Sequence, residues 1–399
     1  MNIGMFTDSW LPTMDGCVSS VLKFKEGLEK RGHNVFIFAP ESLKGNIRVD
    51  DRTFLFKSRE FRQYPEYRMA LSMSSQKDKL IRENDIEMLH THGIAFMGFK
   101  AMLSSRVLSL PLLLHFHTWV TEAAQYYPFN LDKELMESLS WRYLTPFCQK
   151  SDGVVTPSLD AMEELKKKVP NMAYTDWVFP GIDVNRFNPN VKGDAIRQRY
   201  GLEDNEVILH LGRLSQEKNL ELVLNAMTIL KKSKPNARLL VAGDGPARDH
   251  YRSLVKEMHL EDRVIFTGFV PDAELPNYYA ASDCFVLASK FETLGIVMTE
   301  ALACGKPVAG IDFRVIPHVV KDGYNGYLFK EDAHDCAEKL KQSIEAPAGM
   351  KINALQSISI FDTEKCMEKM EYIYKRTSEI HEERLLKRGR RTKPIAPLS

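Results

Sequence analysis

The chain has 399 residues, room for two or three domains at ~150 residues each, and its 44% hydrophobic and 27% charged composition excludes disorder, collagen or a continuous coiled coil. With 54 Lys and Arg against 53 Asp and Glu, no global basic field points to nucleic acid; residues 381–399 alone hold six cations (Arg384, Lys387, Arg388, Arg390, Arg391, Lys393) and two Glu, a local +4 on a remainder of −3. The six cysteines (Cys17, Cys148, Cys284, Cys304, Cys336, Cys366) form no C-x-x-C pair, which argues against a zinc knuckle or disulfide framework and for a reducing cytoplasm.

In chain order, Asn2–Phe6 reads as a strand, Cys17–Lys30 as a helix closed by Gly32, and Val35–Ala39 as a second strand, a βαβ unit. The rhythm returns at Ile86–Leu89, Leu112–Phe116 and Val154–Thr156, each followed by a helix-length segment, which predicts a parallel sheet covered on both faces. A looser stretch, Phe179–Asp204, with Pro180, Gly181, Pro189, Gly193 and Gly201, reads as a hinge. A second series follows at Val207–Leu211, Leu239–Ala242, Val264–Phe266 and Cys284–Ala288. The expected fold class is therefore α/β, with two Rossmann-like doubly wound parallel-sheet domains facing a cleft, residues 1–182 and 183–362. The remaining segment, 363–399, opens with a long helix, about Thr363–Leu386, whose apolar stripe (Cys366, Met370, Ile373, Thr377, Ile380) needs a surface to cover. The richest apolar run, Val107–Leu114, is broken by Ser109 and Pro111 and falls short of the ~20 residues that cross a bilayer, so a soluble or peripheral protein is expected.

In such sheets ligands bind beyond the carboxyl ends of strands, so residues there are the candidates for chemistry. The loop Thr7–Gly16 holds Asp8, Asp15 and Gly16 and opens a helix, where free N–H groups suit an anion, although Gly16 as a turn residue and Asp15 as a cap explain it more simply. His90 and His92, and His115 and His117, share strand faces in pairs that fit a structural role, a substrate contact or a metal. Gly212-Arg213-Leu214-Ser215-Gln216-Glu217-Lys218-Asn219 sets two cations between a strand end and a helix start, suited to a diphosphate or to surface ion pairs. Gly243-Asp244-Gly245 lacks the third glycine of G-x-G-x-x-G, and no G-x-x-x-x-G-K-[ST] occurs, so nicotinamide and P-loop readings lose support. Glu292 and Glu300, eight residues and roughly 12 Å apart if helical, flank a helix start at Leu294 and Gly295; the spacing approximates the span from a sugar to a ribose across a diphosphate.

Taken in order, D-G-C at 15–17, H-F-H-T at 115–118, G-R-L-S-Q-E-K-N at 212–219, G-D-G at 243–245 and E-T-L-G-x-x-x-x-E at 292–300 resemble the family-4 retaining glycosyltransferases over nearly the whole chain. The resemblance implies a GT-B fold with a nucleotide-sugar in the C-terminal domain, the acceptor mainly on the N-terminal domain, and a last helix that crosses back to the first domain. It assigns Arg213 and Lys218 to the diphosphate leaving group, Glu292 to the donor sugar's hydroxyls, Glu300 to the ribose and His117 to the transferred sugar near the reacting centre. Gly16, Asp244, Thr293, Leu294 and Gly295 join the donor-binding set, with Val270 bordering the base. Two fixed cations and a helix N-terminus can stabilise a departing diphosphate without a metal. No D-x-D motif occurs, so the expectation is no metal and no cofactor, the nucleotide-sugar being a substrate.

The segment Asp312–His318 departs from the family pattern, His318 standing where relatives carry a glutamate. Gly16–Lys30, Tyr64–Leu71 and His117-Thr118 look most like the subgroup that glycosylates diacylglycerol or related membrane lipids. The expectation is a metal-independent hexosyltransferase, cytoplasmic and peripheral on the inner membrane face, moving a hexose from a nucleoside-diphosphate sugar, UDP-glucose favoured, to a lipid or glycan hydroxyl. Residues 384–393 are the candidate contact with an anionic membrane, and no nucleic-acid partner is expected. The rival readings are a nucleotide-sugar 2-epimerase of the same fold, which needs a protonatable set not identified here, and a non-catalytic nucleotide-sugar-binding protein.

Overall fold

The computed structural model describes residues 1–13, 15–42, 45–61, 64–70, 76–117, 133–292 and 294–389. Thr118, Thr293, Arg390, Arg391 and Lys393, named above, and the end of the Tyr64–Leu71 stretch lie outside the described residues. The chain divides into two compact units, Met1–Gly181 with Thr363–Ser399, and Ile182–Asp362.

The first unit is built on seven parallel strands: β1 (Asn2–Phe6), β2 (Asn34–Pro40), β3 (Thr53–Phe56), β6 (Met88–Thr91), β7 (Leu112–His115), β8 (Gly153–Thr156) and β9 (Thr175–Trp177), with β4 (Ser58–Phe61) and β5 (Tyr64–Ala70) as a separate antiparallel pair. Their order, β3-β2-β1-β6-β7-β8-β9, puts β1 beside both β2 and β6, with Met5 opposite Ile37 on one side and His90 on the other. The central strands are buried on both faces, as their unbroken apolar runs require. β3 and β9 were not expected from the sequence: each is short, and β9 is only partly buried and carries no apolar run.

The helix Gly16–Lys30 begins where Asp15 accepts the Val18 N–H at 2.8 Å and ends before Gly32, whose φ of +85° suits glycine. Its Gly27 meets the 25-residue C-terminal helix Thr363–Lys387, because a Cβ there would stand 2.7 Å from Met367 Sδ. Arg31 grips Glu371 through two 2.9 Å bonds, the bidentate geometry that holds the Glu371 carboxyl below its ordinary pKa. Of the expected apolar stripe, Cys366, Met370, Ile373 and Thr377 are buried, joined by Met367 and Tyr374.

The second unit holds six parallel strands: β10 (Glu206–Leu211), β11 (Ala237–Ala242), β12 (Val264–Gly268), β13 (Cys284–Leu287), β14 (Val308–Ile311) and β15 (Gly326–Phe329), in the order β12-β11-β10-β13-β14-β15. β14 and β15 extend the sheet beyond the four strands read from the sequence. The stretch read as a hinge is structured: its helix Asp194–Tyr200 packs on the helix Leu275–Ala281, where Arg197 donates to the Ala281 carbonyl and pairs with Asp283 at 2.9 Å. Gly193 permits the approach, since a Cβ would fall 2.3 Å from the Ala281 nitrogen. The six cysteines are free thiols. Among the described residues no helix is long and apolar enough to cross a membrane.

Candidate functional site

In each sheet the strand order reverses once, and the crevice at that point, beyond the carboxyl ends, is where side chains from two neighbouring strands meet. In the second unit the reversal lies between β10 and β13.

After β10, Gly212 (φ +152°) leads through Arg213 and Leu214 into the turn Gln216–Lys218 and the helix Leu220–Leu230. The G-D-G segment after β11 is the neighbouring wall. A Cβ on Gly243 would stand 1.9 Å from the Gly212 oxygen and one on Gly245 2.4 Å from that of Leu214, so only glycines let the two loops lie together. The Leu214 N–H donates to the Asp244 carbonyl and the Ala247 N–H to that of Leu214, locking both loops. The Asp244 side chain is occupied locally, capping the Gly245 N–H at 2.7 Å and pairing with Arg248 at 3.0 Å, so its present role is to shape the loop.

After β13, the Ser289 hydroxyl donates to the Glu217 carbonyl, tying this loop to the one after β10. The consequence is an ion pair between Lys218 Nζ and Glu292 Oε1 at 2.5 Å, residues 74 apart in sequence. Both side chains are mostly buried, and the Lys218 charge also reaches the buried His210, whose pKa falls to about 4, chiefly through burial. Leu294 is buried and Gly295 takes φ +63° at the entry to the helix Ile296–Ala303, so the N–H groups of that helix start open beside Glu292. One turn on, Glu300 is buried and its Oε2 accepts from the Tyr279 hydroxyl at 3.0 Å. Val270 is buried just past β12, with Phe269 beside it 72% exposed. His318 lies exposed on the short helix Ile316–Val319 after β14.

In the first unit the strand order reverses between β1 and β6. The loop after β1 carries buried Asp8, which accepts the Met97 N–H at 2.7 Å and the Ala95 N–H at 3.0 Å; burial nevertheless raises its pKa. A Cβ on Gly16 would meet nothing within 4 Å, which leaves that helix start open.

β6 and β7 are neighbours, and their two histidine pairs become one stack: ring centroids lie 4.1 Å apart for His90 and His92, 5.1 Å for His92 and His115, and 4.2 Å for His115 and His117, against Phe24. Tyr374 of the C-terminal helix sits at one end, its hydroxyl 2.8 Å from His90 Nδ1, and His92 Nδ1 lies 2.8 Å from His117 Nε2 at the other. Burial pushes His90, His92 and His115 well below the ordinary imidazole pKa and His117 to about 3, so the stack is neutral. Nitrogens of His90, His92 and His115 approach within 4.8 Å of one another, close enough to raise the question of a metal. The rings lie within 15° to 39° of parallel, however, so their in-plane lone pairs run side by side, and an ion in one ring plane would sit well out of another. The geometry fits packing and orientation of His117 better than ligation.

The tertiary structure thus brings Lys218, Glu292, Leu294 and Gly295 together in the second unit, with Glu300 one helical turn beyond, and joins His117 to three further histidines in the first. Tyr279 and Tyr374 carried no sequence signal, since each meets its partner only through packing of a different element. Arg384, counted with the basic tail, pairs with Asp152 and donates to the carbonyls of Gln149 and Ser151.

Residues 14–186 match the family model described as Glycosyltransferase Family 4, and residues 193–356 the one described as Glycosyl transferases group 1. The chain is 30% identical over 365 residues, 89% of this chain and 81% of the relative, to an alpha-monoglucosyldiacylglycerol synthase of Streptococcus pneumoniae. It is 26% identical over 344 residues, 84% of this chain and 86% of the relative, to a GDP-mannose-dependent alpha-mannosyltransferase of Mycolicibacterium smegmatis. Among solved structures, HepE of Anabaena in complex with UDP shares the fold, with a TM-score of 0.75 at 19% identity over 93% of this chain and 99% of that one.

Proposed function

This chain belongs to the family-4 glycosyltransferases of GT-B fold, and on that premise we propose that it transfers a hexose, glucose from UDP-glucose, to the hydroxyl of a membrane lipid such as diacylglycerol with retention at the anomeric carbon. The observation that supports this reading is the Lys218–Glu292 pair beside the start of the helix Ile296–Ala303. A bound diphosphate competes with Glu292 for the Lys218 ammonium and frees the carboxylate to accept hydroxyl protons from the sugar. Arg213 and the helix N–H groups take the rest of the phosphate charge, and Glu300, oriented by Tyr279, takes the ribose hydroxyls.

In the reaction the C1–O bond to the β-phosphate breaks and its electron pair leaves with the nucleoside diphosphate. The acceptor oxygen bonds to C1 on the same face, and its proton passes to the departing phosphate oxygen. Cations held ready for that developing charge contribute on the order of 10²–10³ each in rate, which supports a metal-independent step. His117, kept neutral by burial and oriented by His92, is suited to donate or accept one hydrogen bond to the transferred sugar without adding charge. The similarity to a diacylglycerol-linked synthase supports a lipid acceptor and a peripheral place on the inner membrane face.

Incubating the protein with UDP-glucose, GDP-mannose or UDP-N-acetylglucosamine and diacylglycerol vesicles, with and without EDTA, tests this. The expected result is lipid-dependent UDP release from UDP-glucose alone, an α-linked product and no effect of EDTA. Lipid-independent release, a β-linked product or EDTA-sensitive transfer overturns the corresponding part.

A further inference from the structure

A cavity of about 390 Å³ opens at the amino-terminal end of the first sheet's strands, by the starts of β7 and β8. His115 and His117 lie at and beyond the carboxyl end of β7, so the two sites occupy opposite ends of the strands of one sheet. Its floor is Asp152, buried, whose Oδ2 accepts the Leu112 N–H at 3.1 Å and lies 2.8 Å from His381 Nδ1, while Oδ1 accepts from Arg384 at 2.9 Å. Arg384 also bonds the Ser151 and Gln149 carbonyls at 2.7 and 2.9 Å, satisfying the end of the helix Lys133–Lys150. The carboxylate and the helix terminus that would attract cations here are therefore already served.

Three further cations line the cavity. Arg106 comes from the last turn of the helix Phe96–Leu108, Lys150 from the end of Lys133–Lys150, and Arg388 from beyond the end of the C-terminal helix. All three are exposed, and none has an ion-pair partner among the described residues. The His381 Nε2 beside them is buried and without a hydrogen-bond partner. Like charges gathered from three separate helices repel one another, and an anion among them reverses the sign of that interaction. The rigid forks of two arginines with a lysine ammonium make a donor set suited to the oxygens of a phosphate.

We propose that this cavity binds a phosphate group, either free pyrophosphate or the phosphodiester head group of an anionic lipid. Arg106, Lys150 and Arg388 supply the charge, with Arg384 and His381 holding the floor.

The test uses the full chain with Arg213→Gln as background, so that phosphate binding in the second unit does not mask the signal. Calorimetric titration with inorganic pyrophosphate, and flotation with phosphatidylglycerol or phosphatidylcholine vesicles, are compared with and without Arg106→Gln/Arg388→Gln. Both positions are exposed, so the fold tolerates the exchange, and Lys150→Gln serves as an independent second variant. The expected result is binding of one probe that weakens roughly tenfold or more in both variants. Loss of the pyrophosphate signal identifies a soluble ligand, and loss of retention on phosphatidylglycerol alone identifies a lipid head group. Binding that is unchanged in the variants, or undetectable for both probes before the cavity is altered, overturns the proposal.

Discussion

Acidification should unfold the first unit well before carboxylates dominate, because its sheet encloses neutral imidazoles. His90, His92 and His115 are essentially inaccessible, and burial holds each well below the ordinary value of about 6.5. A histidine whose folded pKa is depressed contributes its full stability above the unfolded pKa and loses it as pH falls, since the unfolded chain takes up the proton. Each group costs at most about 1.4 kcal/mol per unit of pH below 6.5, so the combined loss grows as pH falls toward 5, against a domain's 5–15 kcal/mol. His117 adds to this, discounted for its partial exposure. Asp8, whose folded pKa is raised, works in the opposite sense by at most one proton. The second unit carries only His210 of this kind, worth about 2 kcal/mol at the same pH. All four tryptophans (Trp10, Trp119, Trp141, Trp177) lie in the first unit, so their fluorescence follows it selectively during urea unfolding at pH 5 to 7.5. The fluorescence-derived stability should fall steeply below pH 6.5. His115→Phe, which keeps a ring against Phe24 and cannot be protonated, should recover its share of the loss at pH 5 and flatten the profile. A flat profile between pH 7.5 and 5, or the same slope in wild type and His115→Phe, would refute the buried neutral stack.

Other consequences are equally direct. Lys218→Met should lower kcat on the order of 10²–10³-fold in protein shown to be folded by circular dichroism, since it removes charge from the departing diphosphate; transfer at the wild-type rate rules out that role. Tyr279→Phe removes the hydroxyl that holds Glu300, so nucleoside-diphosphate affinity measured by calorimetry should weaken by roughly tenfold, and an unchanged Kd removes Glu300 from the binding site. Gly243→Ala drives a Cβ into the Gly212 carbonyl at φ +134° and should destabilise the second unit by about 2–4 kcal/mol in hydrogen exchange, against no change if the loops can part. Arg384→Ala leaves Asp152 and the end of the helix Lys133–Lys150 short of donors, with an expected loss of about 2–3 kcal/mol in the tryptophan-monitored transition.

Much of this protein was legible in one dimension because its signals are local. An unbroken apolar run marks a strand buried on both faces, and a turn residue followed by a helical pattern marks the strand end where ligands bind, so the two-sheet architecture and the positions of Arg213, Lys218, Glu292 and Glu300 follow from spacing. Short edge strands such as β9 and the helix inside Phe179–Asp204 escaped, since three partly buried residues carry no periodicity and glycines there serve close packing. Partners were invisible for a different reason. Lys218 reaches Glu292 only because parallel pairing sets β10 beside β13, and His90, His92, His115 and His117 become one stack only because β6 pairs with β7. Tyr374 joins that stack only because the last helix folds onto the first unit. The same packing turned Arg384 from a tail cation into an internal cap. Sequence by itself determined which residue types stand at strand ends; the tertiary structure alone decided which of them touch, because a contact between residues 74 or 284 apart is set by strand order and helix packing, which no local pattern encodes.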